Sequence, residues 1–168
     1  MTKVLVIDID ETLLNMEPLF FLEKFRKNYK QNNGRLVKFL DKEYYLAPRP
    51  LVKEFIEKAK REFTLVAFST ASREYTIQKL KILGIFEDFT KVYGKEDLVN
   101  KSKSLLKVSK ELNIPIEDVI AIDDSPNLFL EQDRVIKIKP FFIGREENYE
   151  FEEHEDNLIG ALARALIL

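Results

Sequence analysis

Val4-Leu5-Val6-Ile7-Asp8-Ile9-Asp10-Glu11-Thr12-Leu13 is the stretch on which the reading of this chain turns. Four apolar residues followed at once by polar ones read as a parallel strand buried on both faces. The carboxyl end of such a strand opens into the crevice where α/β proteins bind ligands. In extended backbone side-chain direction repeats every second residue, so Asp8 and Asp10 share one side of the exiting chain. Two neighbouring anions at the rim of an apolar core repel each other, and a hard divalent cation such as Mg²⁺ is the expected partner. The pattern points to phosphoryl chemistry, with either aspartate able to serve as nucleophile or as acid and base. A turn followed by a helix capped by Thr12 would produce the same short motif, so its context has to decide.

Working outward, strand and helix patterns alternate. Leu19, Leu22, Phe25 and Tyr29 fall at helical spacing behind Pro18, and Asn32-Asn33-Gly34 breaks that helix. Leu36–Phe39 and Tyr44–Leu46 flank Asp41-Lys42 as a small β-hairpin. A helix then starts near Arg49-Pro50, with Leu51, Val52, Phe55, Ile56 and Ala59 as its apolar stripe. Phe63–Phe68 is a second buried strand ending in Ser69-Thr70-Ala71-Ser72, followed by a helix through Ile77, Leu80 and Leu83 that stops at Gly84. Lys91–Tyr93 is a weaker strand, and Leu105–Leu112 a helix ending at Asn113. Val119–Ile122 is a third apolar run that terminates in Asp123-Asp124-Ser125-Pro126; Val135–Ile138 and a closing helix, Leu158–Leu166, complete the order. Such alternation predicts an α/β fold with a central parallel sheet and helices on both faces.

Bulk properties narrow the function classes. The chain has 168 residues, enough for one domain with a sizeable core, and we expect a single domain over 1–168 with a small cap-like insert at about 15–48. A formal net charge of −2 gives no electrostatic reason to expect a nucleic-acid or membrane-surface partner. The absence of cysteine excludes disulfides, thiolate metal sites and a cysteine nucleophile. Neither a secretory pattern nor a membrane-spanning run is evident, so the expectation is a cytoplasmic protein.

Three strand ends carry polar groups: Asp8 and Asp10, Ser69 and Thr70, Asp123 and Asp124. In a parallel sheet these ends lie on one edge, and a phosphate-and-metal site accounts for all three together. The missing component is a cation for the phosphoryl oxygens. Lys101 or Lys103, ahead of the helix before the Asp123 strand, could supply it.

In this order, DIDETL, a hydroxyl after a strand, a lysine and Asp-Asp resemble the four motifs of the haloacid dehalogenase superfamily over nearly the whole chain. LAPRPLVKEFIEKA, FSTASREY, AIDDSP with VIKIKPF, and DNLIGALARAL are similar to the branch of phosphatases that act on the carboxy-terminal domain of RNA polymerase II and their small relatives. The resemblance implies a Mg²⁺-dependent phosphomonoester hydrolase. Asp8 would be the nucleophile, and Asp10 the acid and base, its carbonyl also binding Mg²⁺. Thr12 would support the loop; Ser69, or Thr70 one residue on, would bind phosphate, as would Lys101, with Lys103 as runner-up. Asp124 would be a direct metal ligand and Asp123 its indirect partner. The branch usually has Asp-Asn where this chain has Asp123-Asp124, which weakens the subfamily assignment but not the metal role. Phosphoserine or phosphothreonine of proteins is the implied substrate class. Phosphotyrosine, a polynucleotide 3′-phosphate and a small metabolite stay open, as does a non-catalytic protein-binding module.

Other features have plainer readings. Arg49 and Arg73 could hold a second anionic group of a substrate, although surface ion pairing is the commoner fate of an arginine. His154, the single histidine, lies in the acidic stretch from Glu146 to Asp156 and reads as part of a solvated loop. The lysine-rich segments Lys24–Lys30 and Lys101–Lys110 read as solvated helix faces.

Overall fold

The computed structural model describes residues 2–145 and 157–168; His154 and the acidic stretch around it lie outside the described residues. Five strands, β1 (Lys3–Ile7), β5 (Phe63–Phe68), β6 (Lys91–Tyr93), β7 (Val119–Asp123) and β8 (Val135–Lys137), form one sheet in the order β6-β5-β1-β7-β8. Every pairing in it is parallel. From β1 the chain builds outward to β6 on one side, then returns to lay β7 and β8 on the other. That reversal leaves a crevice at the carboxyl ends of β1 and β7, the usual position of a ligand site in this class of sheet.

Side-chain alternation sorts the central strands into two cores. Leu5, Ile7, Leu65, Ala67, Ile120 and Ile122 pack on the face covered by α2 (Val52–Glu62) and α5 (Leu158–Leu166). Val4, Val6, Val66, Phe68, Val119 and Ala121 pack on the opposite face, with Leu105 and Val108 of α4 (Leu105–Leu112). Val4 to Ile7 are fully buried, and each such side chain contributes roughly 1.5–3 kcal/mol relative to exposure. Of the stripe expected on α2, Val52, Phe55, Ile56 and Ala59 face inward, whereas Leu51 precedes the helix as its partly exposed N-cap residue with a φ of 67°. The helix after β5, α3 (Arg73–Leu83), is capped by Ser72 and ends at Gly84, whose φ of 73° suits glycine.

The segment after β1 is more sheet-like than the sequence suggests. A third strand, β2 (Leu14–Pro18), joins β3 (Arg35–Phe39) and β4 (Lys42–Pro48) in an antiparallel sheet of order β2-β4-β3. The hairpin turn is Leu40-Asp41 rather than Asp41-Lys42, both residues having positive φ as a two-residue hairpin requires. The expected helix to Tyr29 is shorter: α1 is Leu19–Phe25, and Tyr29–Asn32 is a separate 3₁₀ turn. This second sheet has its own small core of Leu22, Tyr29, Tyr45 and Ala47 against Phe141 and Ile143. Phe20, by contrast, is exposed. Among the described residues no helix is long and apolar enough to cross a membrane.

Candidate active site

Register dictates the centre of the site. β1 and β7 are neighbours with Ile7 opposite Ile122, so the next residues, Asp8 and Asp123, emerge side by side, and the Asp8 N–H donates to the Ile122 carbonyl at 3.0 Å. Both follow the parity of the residues facing α4. The chain leading into α4 crosses this edge and delivers Lys103 between them. Its Nζ lies 2.7 Å from Asp8 Oδ1 and 2.6 Å from Asp123 Oδ2, and Lys103 and Asp123 are wholly buried.

Lys101 is not brought to this site. Asn100 and Lys101 occupy the tip of a two-residue turn, with φ of 50° and 65°, closed by reciprocal backbone hydrogen bonds between Val99 and Ser102. The tip is exposed, whereas two residues later the backbone of Lys103 is pinned by the N–H of Leu130 and the carbonyl of Leu128. Counting back from Asp123 could not choose between the two lysines, because the turn that carries Lys101 away from the site has no Gly.

The loop after β1 folds tightly over this row. Leu13 and Leu14 N–H groups both donate to the Ile9 carbonyl, and Glu11 adopts a φ of 61°. The turn drops the buried Thr12 inward, where its hydroxyl donates to Asp8 Oδ2 at 2.9 Å and lies 3.2 Å from Asp124 Oδ1. Asp123 Oδ1 accepts the Ser125 N–H at 2.7 Å, so both of its oxygens are engaged within the protein. Asp124 is only partly buried, with its Oδ2 accepting from the Ser125 hydroxyl at 3.3 Å. One carboxylate oxygen from each of Asp8, Asp123 and Asp124 lies within 4.8 Å of the others. A compact all-oxygen, anionic donor set of this kind suits Mg²⁺.

Three carboxylates gather here around one ammonium that pairs with two of them, Asp8 and Asp123. Burial pushes the Asp8 carboxyl up to about 7, against the pull of Lys103 and with help from the Asp124 charge. Burial likewise raises Asp123 to about 6, and it raises Asp124 as well. Burial opposes the charge on Lys103, but Asp8 and Asp123 outweigh it and raise its pKa. Such a surplus of negative charge at a strand edge is what a bound cation would relieve.

Asp10 is turned elsewhere. Its Oδ1 accepts from Lys79 Nζ at 2.7 Å and its Oδ2 from the Ser69 hydroxyl at 3.4 Å, and its carboxylate is outside the Asp8–Asp123–Asp124 group. Ser69 is buried at the end of β5, and its oxygen also accepts the Ala71 N–H at 3.0 Å; Thr70 is exposed. Arg49 is 1% exposed and donates to the Thr12 carbonyl at 3.4 Å, which places it behind the loop. Arg73 is held by Asp97 at 2.7 Å on the β6 side of the molecule.

Motif reading assigns no role to two residues of the site. Lys79 sits with Thr76 and Leu80 on the inward stripe of α3, an unusual address for a lysine that the spacing could have flagged. Glu11 stands close enough to Asp10, Asp124, Asp8 and Glu17 that their charges add to burial in raising its carboxyl to about 7. Asn15 approaches Glu11 Oε1 at 3.4 Å.

Comparison with known proteins bears on the family and the fold. A family model described as NLI interacting factor-like phosphatase matches residues 3–165. The yeast Saccharomyces cerevisiae phosphatase PSR1 is 25% identical over 149 residues, covering 87% of this chain and 33% of its own. A putative CTD phosphatase-like protein of invertebrate iridescent virus 3 is 28% identical, covering 83% of this chain and 84% of its own. The solved structure of Fcp1, an RNA polymerase II CTD phosphatase, superposes with a TM-score of 0.66 at 20% identity over 97% of this chain and 49% of its own. At that identity the likeness establishes the fold. This chain spans about a third of PSR1 and about half of the Fcp1 structure.

Proposed function

We propose that this chain, which belongs to the NLI interacting factor-like phosphatase family, is a Mg²⁺-dependent phosphomonoester hydrolase that works through an aspartyl-phosphate on Asp8. The observation that carries the reading is the buried row Asp8–Lys103–Asp123, with Thr12 bracing Asp8 and a partly buried Asp124 beside it. We treat residues 1–168 as one phosphatase domain with its insert at about 15–48.

In the first step an Asp8 oxygen attacks phosphorus. The new Asp8–phosphorus bond forms as the ester bond breaks, and Asp10 gives a proton to the departing oxygen. In the second step water attacks phosphorus, Asp10 takes a proton from it, and phosphate leaves Asp8. Lys103 is fixed beside Asp8, where its charge offsets that gathering on the phosphoryl oxygens. The Ser69 hydroxyl, at the adjacent strand end, is the side-chain donor best placed for a phosphoryl oxygen; exposed Thr70 is the poorer candidate. Thr12 keeps Asp8 aimed by occupying its other oxygen.

Asp8 and Asp124, with the Asp10 carbonyl, would hold Mg²⁺, and Asp123, already committed to Lys103 and Ser125, would act through them. When bound, Mg²⁺ supplies positive charge to the phosphoryl group and to the Asp8 carboxylate. Arg49 and Arg73 are engaged with Thr12 and Asp97 and serve the scaffold in this reading.

The insert is a small sheet and one short helix, which suits a phosphorylated side chain on a protein better than a metabolite needing enclosure. The name of Fcp1, an RNA polymerase II CTD phosphatase, supports a protein substrate, and phosphoserine and phosphothreonine are the classes that the sequence resemblance implies. A phosphate-release panel tests this: phosphoserine, phosphothreonine and phosphotyrosine peptides, a polynucleotide 3′-phosphate and sugar phosphates, each with Mg²⁺ and with EDTA. Release from the first two that stops with EDTA and in Asp8→Asn is expected. Activity persisting in Asp8→Asn would overturn the mechanism.

A further inference from the structure

Lys79 has no role in the chemistry derived above, yet it is among the most expensively placed side chains in the molecule. It projects from the inward stripe of α3, with its side chain 8% exposed, and its ammonium ends 2.7 Å from Asp10 Oδ1. Removing an ammonium from water costs several kcal/mol unless a well-placed anion compensates. An apolar residue beside Leu80 would satisfy the helix at no such cost.

The two oxygens of Asp10 are held unequally. The Lys79 contact, at 2.7 Å, is a short charge-assisted bond, whereas the Ser69 contact, at 3.4 Å, is at the limit of hydrogen bonding. Oδ1 is therefore anchored from α3, and Oδ2 is the oxygen that can exchange Ser69 for another partner. Rotation about that anchor moves Oδ2 while Oδ1 stays on Lys79.

We propose that Lys79 is a positioning residue for Asp10: it holds Oδ1 so that Oδ2 carries the proton delivered to the departing oxygen. The inference rests on the phosphatase reading and specifies how its acid is aimed. In the step concerned the Asp8–phosphorus bond forms, the bond from phosphorus to the leaving oxygen breaks, and the Oδ2 proton passes to that oxygen.

Leaving groups of different basicity separate aiming from mere structural support. 4-Nitrophenolate departs without help, whereas an alkoxide such as the serine oxygen needs a proton. The readout is kcat/KM, which reports only events up to the first irreversible step and so excludes hydrolysis of the aspartyl-phosphate. Lys79→Met is expected to lose on the order of 100-fold on a phosphoserine peptide, in line with a mispositioned general acid. On 4-nitrophenyl phosphate it should lose no more than about fivefold. Lys79→Arg, which keeps the charge, should recover most of the difference, and Lys79→Gln provides a second neutral variant should the methionine protein not fold. Equal losses on both substrates, or none, would overturn the proposal while leaving the phosphatase reading standing. A wild-type protein that hydrolyses neither substrate would overturn both.

Discussion

The Asp8–Lys103–Asp123 row and the Asp10–Lys79–Ser69 group are both aspartate–lysine clusters at the same sheet edge, and they are built on opposite principles. In the first, adjacent strands in fixed register present both carboxylates, the lysine is wholly buried and the contacts are 2.6 and 2.7 Å. In the second, a helix and a strand end meet at the mouth, Asp10 is part-exposed, and one of its two contacts is loose. In the proposed mechanism the tighter row fixes the Asp8 oxygen that would bond to phosphorus, and the looser group holds the Asp10 oxygen that would move a proton.

Breaking the row should cost most. Asp8→Asn removes the proposed nucleophile without changing the side chain's size, and steady-state phosphate release should fall by roughly 10⁴-fold or more, comparable to losing a covalent nucleophile elsewhere. Circular dichroism should show the fold retained. Asp10→Asn should be less severe, roughly 10²–10⁴-fold in kcat, since it removes general acid–base catalysis and leaves the attacking group.

Lys103→Met would leave Asp8 and Asp123 facing each other, buried and unpaired. Loss of one partner from a buried ion cluster costs about 3–5 kcal/mol. Urea denaturation should show a loss of that order at pH of about 8 and a smaller one at about 5, where the carboxyls can take up protons. Lys101→Met on its exposed turn should change stability by less than about 0.5 kcal/mol and leave activity near wild type. Reversal of these two outcomes would return the phosphate-lysine role to Lys101.

The pH dependence of stability sharpens the comparison further. Asp8 and Asp123 rise from 3.8 to about 7 and about 6, and Glu11 from 4.5 to about 7. Across that window the folded protein binds more protons than the unfolded chain, so its stability falls as pH rises toward neutrality. In EDTA, the melting temperature should therefore drop between pH of about 5 and about 7.5. Mg²⁺ should restore it increasingly as pH rises, because the cation takes the place of the protons. A flat profile in EDTA would mean that the carboxylates are not charge-frustrated as the geometry implies.

How much of this was legible in the residues alone follows physical lines. Val4–Ile7, Phe63–Phe68 and Val119–Ile122 are short apolar runs bounded by polar residues, and they disclose the parallel sheet and its three polar ends. Strand β2 was missed although Leu14-Asn15-Met16-Glu17 alternates apolar and polar, because so short a run, ended by Pro18, is a weak strand signal until its pairing with β4 is known. Lys103 stood second to Lys101 because the turn that carries Lys101 away, Asn100-Lys101 with both φ positive, contains no glycine to announce it. Lys79 was passed over for a different reason: a lysine on a helix reads as solvated, and only its spacing beside Thr76 and Leu80 on α3 marks it as inward.

The central claim is that phosphate passes through Asp8. Rapid mixing with a phosphoserine peptide and Mg²⁺, acid quenching, and mass spectrometry of the proteolysed chain test it directly. The account predicts a phosphoryl group on the peptide containing Asp8, mapped to that residue by fragmentation and absent in Asp8→Asn. Turnover with an unmodified Asp8 peptide at every time point, or phosphate on Asp10 instead, would contradict it.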